Sequence, residues 1–320
     1  MFTIEGTHIH ELVINKSTFI SYIKHVESVQ EAKAYIEEIK SKHFESVWMA
    51  VPDVVLWVDI KDFKISGGNE TYSDIYIEKV IESLRNDLVD VSQLQRKKIY
   101  ARSSRDDNDN AYEWSAYKCI IAEIMMEEQQ YCLNNGKWYK IDNSFVNTIH
   151  EQYSKIALCN DDFIDCFGEK EDDYNNNLLS SLSDAHLLHK YKISIGGGRG
   201  NNIEPCDLLW NKKLIHVKKN GGSSVLSHLF NQATVSGEMW LDRSFRDQLR
   251  EKMEQNGERD CIPEPFKSSD YEIVIAIINK FSDERPKIPF FSEVALCFTS
   301  TNLHNLGYKL KLKNINLKEN

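Results

Sequence analysis

Between residues 204 and 232 the chain gathers side chains that can act together on a phosphodiester. Asp207 lies in EPCDLLW, and His216 and Lys218 lie in KLIHVKK, with Asn211-Lys212 between the two apolar runs. A two-residue turn there pairs Trp210 with Lys213 and sets Asp207 opposite His216. Strand alternation then sends Asp207, His216 and Lys218 to one face, and Leu208, Ile215 and Val217 to the other. A carboxylate, an imidazole and an ammonium on one face are costly unless they are solvated or functional. Metal-assisted phosphodiester cleavage needs oxygen ligands for a divalent cation and a positive charge at the phosphate. Asp207 and Asp184 are the candidate metal ligands, Lys218 the cation, and His216 a further candidate as ligand or catalytic group. Mg2+ is the expected cofactor, with Mn2+ favoured if the imidazole ligates it.

The next residues extend this group. Lys219-Asn220-Gly221-Gly222 forms a turn, and Ser223 or Ser224 can cap a helix over SSVLSHLFNQATVSGEMW. Ser224, His228 and Gln232 recur every four residues as its polar stripe, opposite Leu226, Leu229, Phe230 and Ala233. Lys190, Arg199, Lys212, Lys213, Lys218 and Lys219 can line a groove for phosphates. No exposed aromatic series for stacking single strands is evident, which favours DNA duplex over RNA as the nucleic-acid partner. The GGGRGNN stretch lacks the Lys-Ser/Thr of a phosphate-binding loop and reads as a turn, with Arg199 near a phosphate.

The expected order in this half is a helix over NLLSSLSDAHLLHKY containing Asp184, a strand YKISI, the hairpin, the helix after it, the apolar strand YEIVIAIINKF, a helix ended by Gly307 and the strand YKLKLKNI. The earlier half reads as mixed α/β, with strands at TFISYIKHV and KKIYARSS and helices at VQEAKAYIEEIKSK, DIYIEKVIESLRNDL and FVNTIHEQYSKIAL. Asn135-Gly136 marks a hairpin. The acidic run DDFIDCFGEKEDD and Asn175-Asn176-Asn177 read as a linker. Three parts follow: residues 1–160 for target or partner recognition, a linker over 161–177, and a catalytic part over 178–320.

The 320 residues carry 39 basic and 49 acidic side chains, a formal charge of -10, which excludes a generally basic nucleic-acid coat. No apolar run approaches the roughly 20 residues of a membrane span, and the start lacks a signal peptide's pattern. Seven scattered cysteines without a CxxC pair read as reduced thiols. A cytoplasmic protein with no membrane partner, acting alone, as a homodimer or with a partner protein, is expected.

On Asp184, Asp207, Lys218 and Gln232, with the αβββαβ order, the region from about 175 to 315 resembles the PD-(D/E)xK nuclease superfamily. The resemblance implies a restriction-endonuclease-like core, an α+β or α/β fold, and metal-dependent nuclease activity. It departs from that pattern at His216, where an acid is usual; Glu204 is the alternative carboxylate. The phrases VWMAVPDVVLWVDI, NGKWYKID, IEPCDLLWNKKLIHVKKNGGSSVLSHLFNQATVSGE and IPFFSEVAL are similar to an uncharacterised, sporadically distributed bacterial family, which implies a genome-defence or mobile-element setting. FISYIKHVESVQEAKAYIEEIKSKH has a short likeness to the Impact family of translation regulators. His216-x-Lys218 also resembles the HxK motif of phospholipase D-type enzymes, where His216 would be the nucleophile without a metal. Beside these readings stands a nuclease-like fold that binds nucleic acid or protein without cutting.

Overall fold

The computed structural model describes residues 7–14, 17–24, 46–52, 60–84, 91–105, 109–126, 128–194, 202–280 and 282–318, with side chains from residue 47 onward except those of 202 and 224. It is a mixed α/β chain in two compact units, Met1–Ile141 and Asp142–Asn320. The acidic stretch expected as a linker lies inside the second unit, and the division falls at residue 141.

The first unit is built from antiparallel pairs. β1 (Thr7–Ile14) and β2 (Ser17–Lys24) form a hairpin. One sheet joins β3 (Ser46–Met49), β8 (Ile120–Met126), β9 (Gln129–Asn134) and β10 (Lys137–Lys140) in the order β10-β9-β8-β3. A second joins β4 (Ile60–Ile65), β5 (Thr71–Tyr72), β6 (Lys98–Ser103) and β7 (Asn110–Ser115) in the order β5-β4-β6-β7. Helices α1 (Ile77–Leu84), α2 (Val91–Arg96) and α3 (Ala116–Cys119) complete it. Alternation along β6 buries Ile99, Ala101 and Ser103. Ile99 and Ala101 join Phe63, Val80, Trp114, Met49 and Leu133 in one core. The Asn135-Gly136 turn has positive φ at both residues, 47° and 69°, as a tight hairpin turn requires. The helix expected over residues 29–42 lies outside the described residues.

The second unit opens with α4 (Asn143–Lys155), capped by Asp142, whose carboxylate accepts the amides of Ser144 and Phe145. A six-stranded sheet follows: β11 (Ala157–Leu158), β12 (His186–Leu187), β15 (Leu208–Trp210), β16 (Lys213–Lys219), β17 (Glu272–Asn279) and β18 (Lys309–Asn316). Its order is β11-β18-β17-β16-β15-β12. Only β15 runs against its neighbours; the other pairings in the sheet are parallel. A separate two-stranded ladder joins β13 (Ile193–Ser194) and β14 (Asn202–Ile203). Central β17 is buried at seven successive positions, as expected where both faces of a parallel strand are covered.

Helix α5 (Glu171–Ser181) covers one face, where Tyr174 and Leu178 meet Leu208, Ile215, Val217, Val274, Ala276 and Ile278. On the other face lie α6 (Ser223–Leu241) and α8 (Phe290–Asn305). Gly237 of α6 sits where a Cβ would come within 2.9 Å of Leu303 on α8 and 3.1 Å of Ile273 on β17. Gly237→Ala is therefore expected to destabilise the unit by about 1–3 kcal/mol through overpacking, measured by thermal or urea unfolding. An unchanged midpoint would contradict this close approach.

Two elements differ from expectation. The helix begins at Glu171, not near residue 177, and ends at Ser181, so Asp184 falls in the turn after it, with φ 58°. Glu171, Asp172 and Asp173 occupy its first turn, where the helix dipole favours negative charge. The polar stretch after α6 forms α7 (Arg243–Gln255), which buries Phe245, Leu249 and Met253 at four-residue spacing. Asp242 caps it by accepting the Phe245 amide.

Candidate active site at the α5–β16 junction

The ladder between β15 and β16 fixes this site. Asn211 and Lys212 both have positive φ, 45° and 59°, so the hairpin turn has two residues and Trp210 pairs with Lys213, as the sequence implies. Pairing ends at Leu208 opposite Ile215, with one further bond from the Asp207 amide to the Ile215 carbonyl at 2.9 Å. The next outward donor of β16, the Val217 amide, faces no strand among the described residues. The Asp207 carboxylate takes its place, accepting from Val217 N at 2.7 Å. Its other oxygen accepts from Asn175 Nδ2 of α5 at 3.3 Å. The Asp207 side chain thus lies along the strand edge, beneath α5.

Lys218 is the last but one residue of β16, and its long stem reaches the start of α5. Its Nζ lies 2.7 Å from Glu171 Oε2, both side chains about one-third exposed. Glu171 Oε1 accepts the Lys219 amide at 3.1 Å. Burial raises the Asp207 carboxyl to about 7; the Val217 amide opposes this, Glu204 and Glu171 add to it, and Lys218 opposes it. A desolvated carboxyl with further carboxylates and a lysine acting on it is a physical mark of a functional site. Gln232 of α6 donates to Glu204 at 3.2 Å, joining the fringe of this cluster. Asn175 is 2% exposed, and its Oδ1 has no hydrogen-bond partner among the described residues.

Of the residues singled out in the sequence, Asp207 and Lys218 lie in this cluster and Gln232 touches it through Glu204. His216 does not join them. It is fully buried, with neither ring nitrogen hydrogen-bonded among the described residues, and burial lowers its pKa to about 4. It pairs in register with Ile275, two residues beyond the Ile273 that meets Gly237 and α6, on the face away from α5. Asp184 is exposed in its turn. Lys212 is exposed, 3.9 Å from Asp270. Lys213 pairs with Asp161 at 3.3 Å and lies over the Trp210 ring. Lys219 Nζ is spent on the Gly168 and Glu169 carbonyls. His228 is exposed on α6, and Lys190 pairs with Glu258. Arg199 and the Ser224 side chain lie outside the described residues. Among the described residues no group of three or more His, Cys, Asp or Glu side chains is placed to hold a metal ion.

Glu171 and Asn175 are the residues that motif spacing alone did not bring to this cluster, whereas Glu204 was already the alternative carboxylate. The signal for the first two was present: Glu171, Tyr174, Asn175 and Leu178 recur at helical spacing, and the last three are buried.

Residues 14–316 match the family of unknown function DUF6119. The chain belongs to that family. No curated protein and no solved structure matches it. The expected membership of an uncharacterised family holds at this level. Among the described residues, no helix of this DUF6119 chain is long and apolar enough to cross a membrane. A pocket of about 430 Å3 lies at the β11–β18 edge, lined by Lys155, His304 and Lys309 among others, and includes none of the cluster.

Proposed function

We propose that this chain is a metal-dependent phosphodiesterase acting on nucleic acid, with a PD-(D/E)xK-like core in the second unit and a role in genome defence. The observation that carries the reading is the meeting of Lys218 with Glu171 at 2.7 Å beside the buried Asp207, whose carboxyl burial raises to about 7. In the superfamily pattern Glu171 takes the helix acid in place of Asp184, while Asp207, Lys218 and Gln232 keep their positions. His216 stands where an acid is usual and is buried away from the cluster, so Glu204 is the better candidate for a third carboxylate.

The donors suit a hard divalent cation. Mg2+ or Mn2+ is held by one or two carboxylates together with neutral oxygens and water. Asp207 and Glu171 would provide the carboxylates, and Asn175 Oδ1, unpartnered among the described residues, an amide oxygen next to Asp207. A bound cation would neutralise developing negative charge and lower the pKa of water. The chain's own contributions are separate. Val217 and Asn175 fix the Asp207 carboxyl by hydrogen bonds to each oxygen. Glu171 holds the Lys218 ammonium, which offsets negative charge on a phosphate brought to the helix start.

The test is cleavage of plasmid, single-stranded DNA and RNA in Mg2+ and in Mn2+. Lys218→Ala is expected to lower the rate at least about 100-fold, the size seen when a preorganised charge-stabilising donor is removed. Chelator should abolish cutting. Binding without cutting in either metal would favour the second reading, a nucleic-acid-binding module, which the buried His216 at the position where the superfamily has an acid supports. Cutting that persists in chelator would favour the phospholipase D-like chemistry, against which the full burial of His216 weighs.

A further inference from the structure

The β9–β10 hairpin of the first unit carries a surface that the cluster does not use. Every residue of β10, Lys137-Trp138-Tyr139-Lys140, is exposed, with Trp138 at 52% and Tyr139 at 49%. Among the described residues β10 is an edge strand, with no strand of its sheet on its outer side. Alternation sends Trp138 and Lys140 to one face and Lys137 and Tyr139 to the other. Their cross-strand partners Leu133 and Cys132 are buried, which anchors the hairpin from β9 and leaves the two rings free. The turn adds more of the same chemistry. A Cβ at Gly136 would lie 3.3 Å from the Tyr117 ring and 3.5 Å from Lys118 Cγ, so both side chains flank the turn.

Lys118 is exposed as well. None of Lys118, Lys137 and Lys140 has an ion pair among the described residues, although the protein is acidic overall. Unpaired cations beside accessible ring faces match two features of an unpaired nucleic-acid strand: phosphates along its backbone and bases whose faces are open. A duplex hides those faces in its own stack. An apolar peptide added to the strand edge would give three lysines no counter-charge.

We propose that the β10 edge, with Tyr117 and Lys118, binds single-stranded nucleic acid through base stacking on Trp138 and Tyr139 and phosphate contacts to the three lysines. DNA and RNA strands share this chemistry. The proposal is independent of cleavage, because the hairpin belongs to the first unit and binding is measured in chelator.

The experiment is fluorescence anisotropy of the full chain with labelled oligothymidylate, oligouridylate and a blunt DNA duplex, in chelator and over a salt series. Single strands should bind at least about tenfold more tightly than the duplex and quench tryptophan emission. Trp138→Ala with Tyr139→Ala should weaken single-strand binding at least about tenfold, while Lys137→Glu with Lys140→Glu should flatten its salt dependence. All four positions are exposed, and thermal melting checks that the variants remain folded. The thymidylate and uridylate arms tell whether the sugar matters. Duplex binding equal to single-strand binding, single-strand binding unchanged in the aromatic double variant, or no nucleic-acid binding at all would each overturn the proposal.

Discussion

Asp207→Asn is expected to raise the melting temperature of the second unit at pH 8, more than at pH 5, while removing cleavage. The carboxyl titrates near 3.8 in the unfolded chain and at about 7 in the folded one. The folded state therefore keeps a proton that the unfolded chain has released, and stability falls as pH rises from about 4 to 7. Above that window the cost reaches at most about 4 kcal/mol. Asparagine is neutral throughout. Its oxygen can still accept the Val217 amide, and its nitrogen can donate to Asn175 Oδ1, which has no partner among the described residues. A gain of about 2–4 °C per kcal/mol is the scale to read by calorimetry at the two pH values. A destabilised variant at pH 8, or a gain independent of pH, would show that Asp207 is not held at the cost of its charge. Higher stability with loss of activity is the trade-off expected where a charged group is buried for function.

The second large effect is at His216. His216→Leu should stabilise the unit and leave metal-dependent cleavage unchanged. Two ring nitrogens buried without partners among the described residues cost on the order of 1–3 kcal/mol each, and leucine has none. The pH dependence has the opposite sign to that of Asp207. The imidazole titrates near 6.5 when unfolded and at about 4 when folded, so the unfolded chain binds the extra proton and stability is lost as pH falls from 6.5 toward 4. The two groups therefore oppose each other between about pH 4 and 6.5. The wild type should be nearly flat there; His216→Leu should lose stability as pH rises, and Asp207→Asn should lose it as pH falls. Urea unfolding at four pH values tests the set. Parallel profiles in both variants, or cleavage lost with His216→Leu, would refute the assignment of His216 to the core.

Much of the hairpin was legible because its turn residues and apolar alternation agree. Asn211-Lys212 set the register, and parity placed Ile215 and Val217 against the core as found. The same parity failed for Asp207 because it precedes the strand: its carboxylate bends to the open edge to meet Val217 N instead of standing on a face. Lys218 shares the parity of His216, yet its stem, at the strand's end, reaches round to Glu171. β17, β18 and α8 were plain from their apolar runs and Gly307, which has φ 90°. α5 was hidden because a run of acids looks solvated until it is recognised as a first helical turn. α7 was hidden because Arg246 and Arg250 share its buried stripe, held by Glu264 and Asp260.

The strand order carries one more consequence. β11, at residues 157–158, pairs with β18, which ends at residue 316 and sits between β11 and β17. During synthesis the sheet cannot assemble from one edge inward, since its penultimate strand is the last of the six to be made. Until β18 has left the ribosome, β17 exposes an apolar open edge, and α4 and β11 have no sheet to join. Such long-range parallel pairing forms slowly and leaves nascent chains prone to association. The second unit should complete its fold only after residue 316 has emerged, while the local antiparallel hairpins of the first unit can form far earlier.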